Sequence, residues 1–134
     1  MATTGACLCG EVKYQYTGDI TAKIFCNCKD CQRWSGGTGL PNVVVDRAKF
    51  QITAGTPKTF DIVGDSGKIN KHFFCGACGS SMYCEPEVME DKTCIKCGSL
   101  DEPDVAQMQL EIYVKDRVSF QKPMDGAQQV AGGV

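Results

Sequence analysis

Histidine is nearly missing from this chain: His72 is the only one among 134 residues. That excludes metal centres built mainly on imidazole and leaves any histidine-dependent acid–base mechanism resting on one side chain. A lone histidine shortly before a cysteine pair reads first as a packed strand residue. Long apolar runs are missing too. No stretch approaches the ~18 residues of a membrane-spanning helix, so no membrane partner is expected. Charge of one sign is not concentrated anywhere. The 14 basic and 16 acidic residues leave a net charge of −2 without a basic block, so nucleic acid finds no electrostatic footprint. The opening Met1-Ala2-Thr3-Thr4-Gly5-Ala6 has no charged start followed by an apolar core, and does not read as a signal peptide.

Cysteine, by contrast, is abundant, with ten residues in distinctive spacing. Cys7-Leu8-Cys9-Gly10 is a C-x-C-G knuckle, Cys26 to Cys31 reads C-x-C-x-x-C, and Cys75-Gly76-Ala77-Cys78-Gly79 reads C-x-x-C-G. In a secreted chain ten cysteines would suggest five disulfides. Without a signal peptide the cytoplasm is the expected location, and there clustered cysteines more often bind metal or do redox chemistry. A C-x-C pair is also too strained to close on itself, whereas both of its thiolates can face one ion. Zn2+ is the expected metal, since it takes sulfur ligands and fills structural sites with four of them.

Spacing leaves two four-cysteine sets open. Cys7, Cys9, Cys75 and Cys78 would join two knuckles, each followed by a glycine that tolerates the bend, and would staple the N-terminus to the middle of the chain. Alternatively, Cys75, Cys78, Cys94 and Cys97 fit the C-x2-C-x15-C-x2-C spacing of a zinc ribbon. Otherwise Cys84, Cys94 and Cys97 are small buried strand residues. The trio Cys26, Cys28 and Cys31 supplies three ligands, and three protein ligands with one open position is the pattern of catalytic zinc. A first shell of three thiolates suits capture of a thiol better than ionisation of water. A fourth cysteine closing that cage, or a redox-active Cys28–Cys31 pair, are the competing readings.

The chain is expected to be one domain over residues 1–134, with a frayed tail at about 126–134. Its pattern is all-β. Glu11 to Tyr16 alternates, as does Gln109 to Val114, with Leu110, Ile112 and Val114 on one face. Further short strands are predicted at Thr21–Phe25, Pro41–Val45, Phe50–Thr53, Lys58–Val63, Ile69–Phe74, Ser81–Cys84 and Lys92–Lys96. Asp30–Trp34 is predicted to form one helical turn, and Pro86–Glu90 a second short helix. Many short strands separated by turns indicate a small barrel or sandwich. No segment marks the apolar patch that a homodimer would need.

Taken in order, Gly5-Ala6-Cys7-Leu8-Cys9-Gly10, Cys26 to Cys31, Gly55-Thr56-Pro57-Lys58-Thr59, Phe73 to Ser80 and Gly98-Ser99-Leu100-Asp101 resemble the glutathione-dependent formaldehyde-activating enzyme family. This family is also called the CENP-V/GFA domain family. Glu111 to Arg117 and Gly126-Ala127-Gln128-Gln129 look like its fungal members. The resemblance implies a Mss4-like small β-sandwich stapled by zinc. It implies two zinc ions per chain: a structural one at Cys7, Cys9, Cys75 and Cys78, and a second, linked to catalysis, at Cys26, Cys28 and Cys31. Cys84, Cys94 and Cys97 would be extras of this chain. Asn27 departs from the family's usual C-H-C-x-x-C, so any proton-transfer or positioning role of that histidine would be lost here.

The activity so implied is that of a zinc-dependent carbon–sulfur lyase or synthase. It would join or split a small-molecule thiol such as glutathione and an aldehyde such as formaldehyde. Lys29, Arg33 and Lys115 are candidate anion binders, with solvated surface positions as the simpler account of each. A tailoring enzyme of the same fold on another small molecule, and a non-catalytic zinc-stapled interaction module, are the alternatives.

Overall fold

The computed structural model describes residues 2–133. Among them the chain forms β1 (Thr3–Ala6), β2 (Lys13–Tyr16), β3 (Ala22–Cys26), α1 (Lys29–Ser35), β4 (Leu40–Asp46), β5 (Phe50–Ala54) and β6 (Lys58–Val63). These are followed by β7 (Ile69–Phe74), β8 (Ser81–Pro86), β9 (Lys92–Lys96), β10 (Leu110–Ile112) and β11 (Gln128–Gln129). The architecture is mostly β, as the strand pattern and the family resemblance both imply. A small antiparallel sheet has the order β1-β2-β5, and a large one has the order β11-β10-β3-β4-β9-β8-β7-β6.

The period-two alternation of the strands gives the large sheet two different faces. Val43 and Val45 of β4, Tyr83 of β8 and Ile95 of β9 point one way, and pack with Val12, Tyr14 and Tyr16 of the small sheet. Aromatic rings bind the two layers: Tyr14 lies 5.2 Å from Phe50, Phe50 4.6 Å from Tyr83, and Tyr83 stacks on Phe73 at 4.3 Å. Tyr14 also ends on Ser99, with its hydroxyl 2.6 Å from Oγ. The opposite face carries the even-numbered residues of β4 and β9. His72, Cys84, Cys94, Val44 and Ala22 stand in one cross-strand row. Lys96, Asn42, Ile24 and Leu110 stand in the next. This second face, partly polar and yet buried, is the floor of the site.

Several predicted elements shift. The N-terminal residues form a strand, because Thr3–Ala6 pairs antiparallel with β2 and Gly5 bridges to Leu100. The helix expected at Pro86–Glu90 is a single 3-10 turn, Glu87–Met89. β10 stops at Ile112, since Tyr113 turns the chain in a left-handed conformation at φ 52°. Glu111 does not face solvent as alternation predicts. It is 2% exposed, and its carboxylate accepts from Arg117 Nη2 at 2.7 Å. The tail expected to fray over 126–134 is docked as far as residue 133. Gln128–Gln129 adds a parallel strand beside β10, and the Tyr113 N–H donates to the Gly132 carbonyl at 2.9 Å. Sequence composition missed this because backbone pairing needs no apolar side chains.

Candidate metal centres

Two groups of cysteine sulfurs converge, each within 4.8 Å: Cys7, Cys9, Cys75 and Cys78 in one, and Cys26, Cys28 and Cys31 in the other. The first lies where the turn after β1 meets the β7–β8 turn. Each knuckle closes by a backbone hydrogen bond, Gly10 N–H to the Cys7 carbonyl at 3.1 Å and Gly79 N–H to the Cys75 carbonyl at 2.8 Å. Both glycines take positive φ, 80° and 77°, where a side chain would be strained. Amides turn toward the sulfurs: Val12 N–H reaches Cys7 Sγ at 3.3 Å and Ala77 N–H reaches Cys75 Sγ at 3.4 Å. Sulfur–sulfur separations are 3.6 Å for Cys7–Cys9 and 3.8 Å for Cys9–Cys75. A tetrahedron with metal–sulfur bonds of about 2.3 Å has edges of about 3.8 Å, so the set fits a zinc-sized ion. Burial works against a thiolate at Cys7, but the Val12 amide and the Cys9 and Cys75 thiols outweigh it and hold the thiol below its ordinary value. The Ser80 hydroxyl, 3.1 Å from Cys78 Sγ, and neighbouring amides bring the Cys78 thiol down to about 5.

The trio is built differently. Cys26 ends β3, Cys28 caps α1, and Cys31 lies one turn into that helix. The cap itself is sulfur: Cys31 N–H donates to Cys28 Sγ at 3.3 Å. At its far end α1 stops at Gly36 in the left-handed conformation. Trp34 fixes the helix to the sheet, with its Nε1 donating to Ser81 Oγ and its ring 4.9 Å from His72, 5.7 Å from Phe74 and 6.2 Å from Phe60. Asn27, between two trio cysteines, is buried, and its Nδ2 donates to the Ile112 carbonyl at 3.0 Å. It therefore ties β3 to β10 and leaves the sulfurs free to converge. The three thiols compete for one negative charge. Hydrogen bonds from Cys26 and Cys31 pull Cys28 far down, while the same contacts push Cys26 and Cys31 up. A bound dication would relieve this competition by stabilising all three thiolates, as a soft-donor set requires.

The trio borders a cavity of about 460 Å³ whose floor is the second face of the large sheet. His72, Cys84, Cys94 and Lys96 line that floor, and Tyr113 and the Gly64–Lys68 turn complete the lining of the cavity. Lys29 and Lys115 reach it, whereas Arg33 and Trp34 do not line it. Burial lowers the His72 pKa, and its Nδ1 lies 3.0 Å from the Asn70 carbonyl, in keeping with a packed strand residue. The ribbon alternative is not formed by these thiols. Cys97 packs in the main core, and Cys94 faces Cys84. Sequence reasoning passed over Lys96 and Asn42, which are buried in the cavity floor and bonded to each other at 2.7 Å. The available signal was strand period, which sets Lys96 on the same side as Cys94.

A small two-sheet β protein carrying two sulfur clusters able to hold metal ions is the class that the fold and site define. The chain belongs to the glutathione-dependent formaldehyde-activating enzyme family, whose family model matches residues 2–116. It is also similar in fold to a crystal structure of a Rhodobacter sphaeroides protein, at 17% identity and a TM-score of 0.62, covering 78% of this chain and 96% of that one. No curated protein matches the chain. Among the described residues no helix is long and apolar enough to cross a membrane.

Proposed function

We propose that this protein joins a small-molecule thiol and an aldehyde as an S-hydroxyalkyl adduct, or splits that adduct, with Zn2+ at both sulfur clusters. The observation that carries this reading is the trio of Cys26, Cys28 and Cys31, which offers three sulfurs and borders a ligand-sized cavity. Cys7, Cys9, Cys75 and Cys78 would hold the structural ion, with all four positions filled by protein. At the trio, a bound zinc ion would supply a position where a substrate thiol is held as its thiolate. In the addition, the thiol sulfur bonds to the carbonyl carbon, the carbon–oxygen π bond opens, and the oxygen takes up the thiol proton.

The protein's own groups have defined tasks in this scheme. The Lys96 ammonium, buried in the cavity floor, favours negative charge developing on the carbonyl oxygen. Lys29 and Lys115 at the walls suit the carboxylates of a glutathione-like thiol. Tyr113 and the Gly64–Lys68 turn line the same cavity, which would hold two small reactants together. The cavity exceeds what a one-carbon aldehyde needs, so bulkier carbonyl compounds belong in the assay. Purified protein loaded with zinc would be mixed with glutathione and ¹³C-formaldehyde, and exchange between free and adduct carbon followed by NMR. Exchange faster than the uncatalysed background, lost in Cys28→Ser, is the expected result. Background exchange with glutathione and every aldehyde tried would overturn the reading.

A further inference from the structure

We propose that Cys84 and Cys94 form a dithiol site, separate from both sulfur clusters, that exchanges with small-molecule disulfides entering the cavity. The two residues are direct cross-strand partners in the antiparallel β8–β9 pair. Such partners have Cα atoms about 4.5–5.5 Å apart, inside the range that a disulfide spans without backbone movement. Both line the cavity, whereas Cys97, which opens the 3-10 turn after β9, is packed in the opposite core.

Lys96 sets the direction of the chemistry. It is 4% exposed, and its Nζ donates to Asn42 Oδ1 at 2.7 Å and to Cys84 Sγ at 3.3 Å. A buried ammonium requires a compensating negative charge. Among the described residues its Nζ makes no ion pair with a carboxylate. The ionisable group in direct contact with it is the Cys84 sulfur. The other polar groups acting on this pair are His72 beside Cys84 in the strand register, Asn42, Arg47 on the Cys94 side, and the trio across the cavity through Cys31. The Cys94 thiol and the Lys96 ammonium together hold Cys84 well below its ordinary pKa, while the contact with Cys84 and burial drive Cys94 well above its own, against the opposing pull of Lys96. The asymmetry is that of an attacking thiolate and a resolving thiol.

The exchange balances with a low-molecular-weight disulfide, RSSR, as oxidant. Cys84 thiolate attacks one sulfur, forming Cys84–S–S–R and expelling RS⁻. Cys94 gives its proton to that thiolate and attacks the Cys84 sulfur, forming Cys84–S–S–Cys94 and expelling a second RS⁻. One dithiol is oxidised, and one disulfide is reduced to a thiol and a thiolate. Closing the bridge strips Lys96 of its counter-charge, which favours the reduced form and makes the bridge easy for excess thiol to reopen.

The test uses the zinc-loaded full chain and dithiodipyridine, whose release of thiopyridone is read by absorbance and whose products are mapped by peptide mass spectrometry. The expected result is two thiopyridones per chain, a Cys84–Cys94 cross-linked peptide and retained zinc. Cys94→Ser should stop at a mixed disulfide on Cys84 with one thiopyridone released. Lys96→Met should slow the first release by about tenfold, as an ordinary thiol replaces a thiolate. Should Lys96→Met fail to fold, the wild-type rate near about pH 6 serves instead, since it should not fall as an ordinary cysteine's does. Modification confined to the seven cluster cysteines with zinc loss, or a first release unchanged in folded Lys96→Met, would overturn the proposal.

Discussion

The two sulfur clusters differ in what they tie together, and that difference sets a measurable hierarchy. Cys9 and Cys75 are 66 residues apart in sequence. An ion held between them closes a long loop, and a cross-link of that span removes about 4 kcal/mol of unfolded-chain entropy. The trio lies within Cys26–Cys31, and by the same relation its closure is worth about 2 kcal/mol. Removing both ligands of the β7–β8 turn, with Cys75→Ser and Cys78→Ser together, should therefore cost about 4 kcal/mol or more. Removing Cys28 and Cys31 together should cost about half as much, and serine at position 28 still offers a hydroxyl to cap α1. At this chain length each kcal/mol moves the melting temperature by roughly 4 °C. The first double variant should melt about 15 °C below wild type and the second about 8 °C below. Thermal unfolding of zinc-loaded protein by circular dichroism would measure both, and native mass spectrometry would count zinc in each. Equal losses, or a larger loss at the trio, would refute the division into a long-range staple and a local site.

Three further outcomes follow from particular contacts. A Cβ added at Gly5 would lie 2.6 Å from the Ser99 carbonyl and clash with Cζ and the hydroxyl oxygen of buried Tyr14, so Gly5→Ala should cost about 3 kcal/mol by denaturant titration. Arg117→Met would strand the buried Glu111 carboxylate and free Gln129, so it should cost about 3 kcal/mol or more, with much of that recovered when Glu111→Leu is added. A full penalty remaining in the double variant would contradict the assignment. His72 has its pKa lowered by burial, so the unfolded chain binds more protons than the folded one below about pH 6.5. Its contribution should therefore destabilise the fold as pH falls from there towards the folded pKa, by no more than about 1.4 kcal/mol per pH unit. Equilibrium unfolding of wild type and His72→Gln at matched zinc would show it: His72→Gln should lose that component, and parallel curves would refute it.

How much of this was legible in the sequence depends on the range of the signal. Strand alternation in Lys13–Tyr16 and the turns at Gly55-Thr56-Pro57 and Gly64-Asp65-Ser66-Gly67 are local, and the corresponding elements appear. β1 and β11 carry little local pattern. Thr3–Ala6 and Gln128–Gln129 become strands because β2 and β10 present open backbone edges beside them. Tyr113 breaks the alternating run at Ile112 through a left-handed turn that no glycine or asparagine announces.

The same distinction governs the sites. The knuckles are readable because a metal demands closely spaced cysteines and a bend beside them. Which knuckle meets which is a matter of long-range packing, and spacing alone left the ribbon pairing open. Lys96 is the sharper case. Strand period sets it on the same side as Cys94, but only the β8–β9 and β9–β4 registers bring Cys84 and Asn42 to its ammonium. A lysine in a strand ordinarily marks the solvent side, because burying its charge is costly. Here the charge is buried because sulfur on one neighbour and an amide oxygen on another compensate it. Cys84 and Cys94, which spacing leaves between a ligand role and buried packing, are brought by the same registers side by side at the cavity floor.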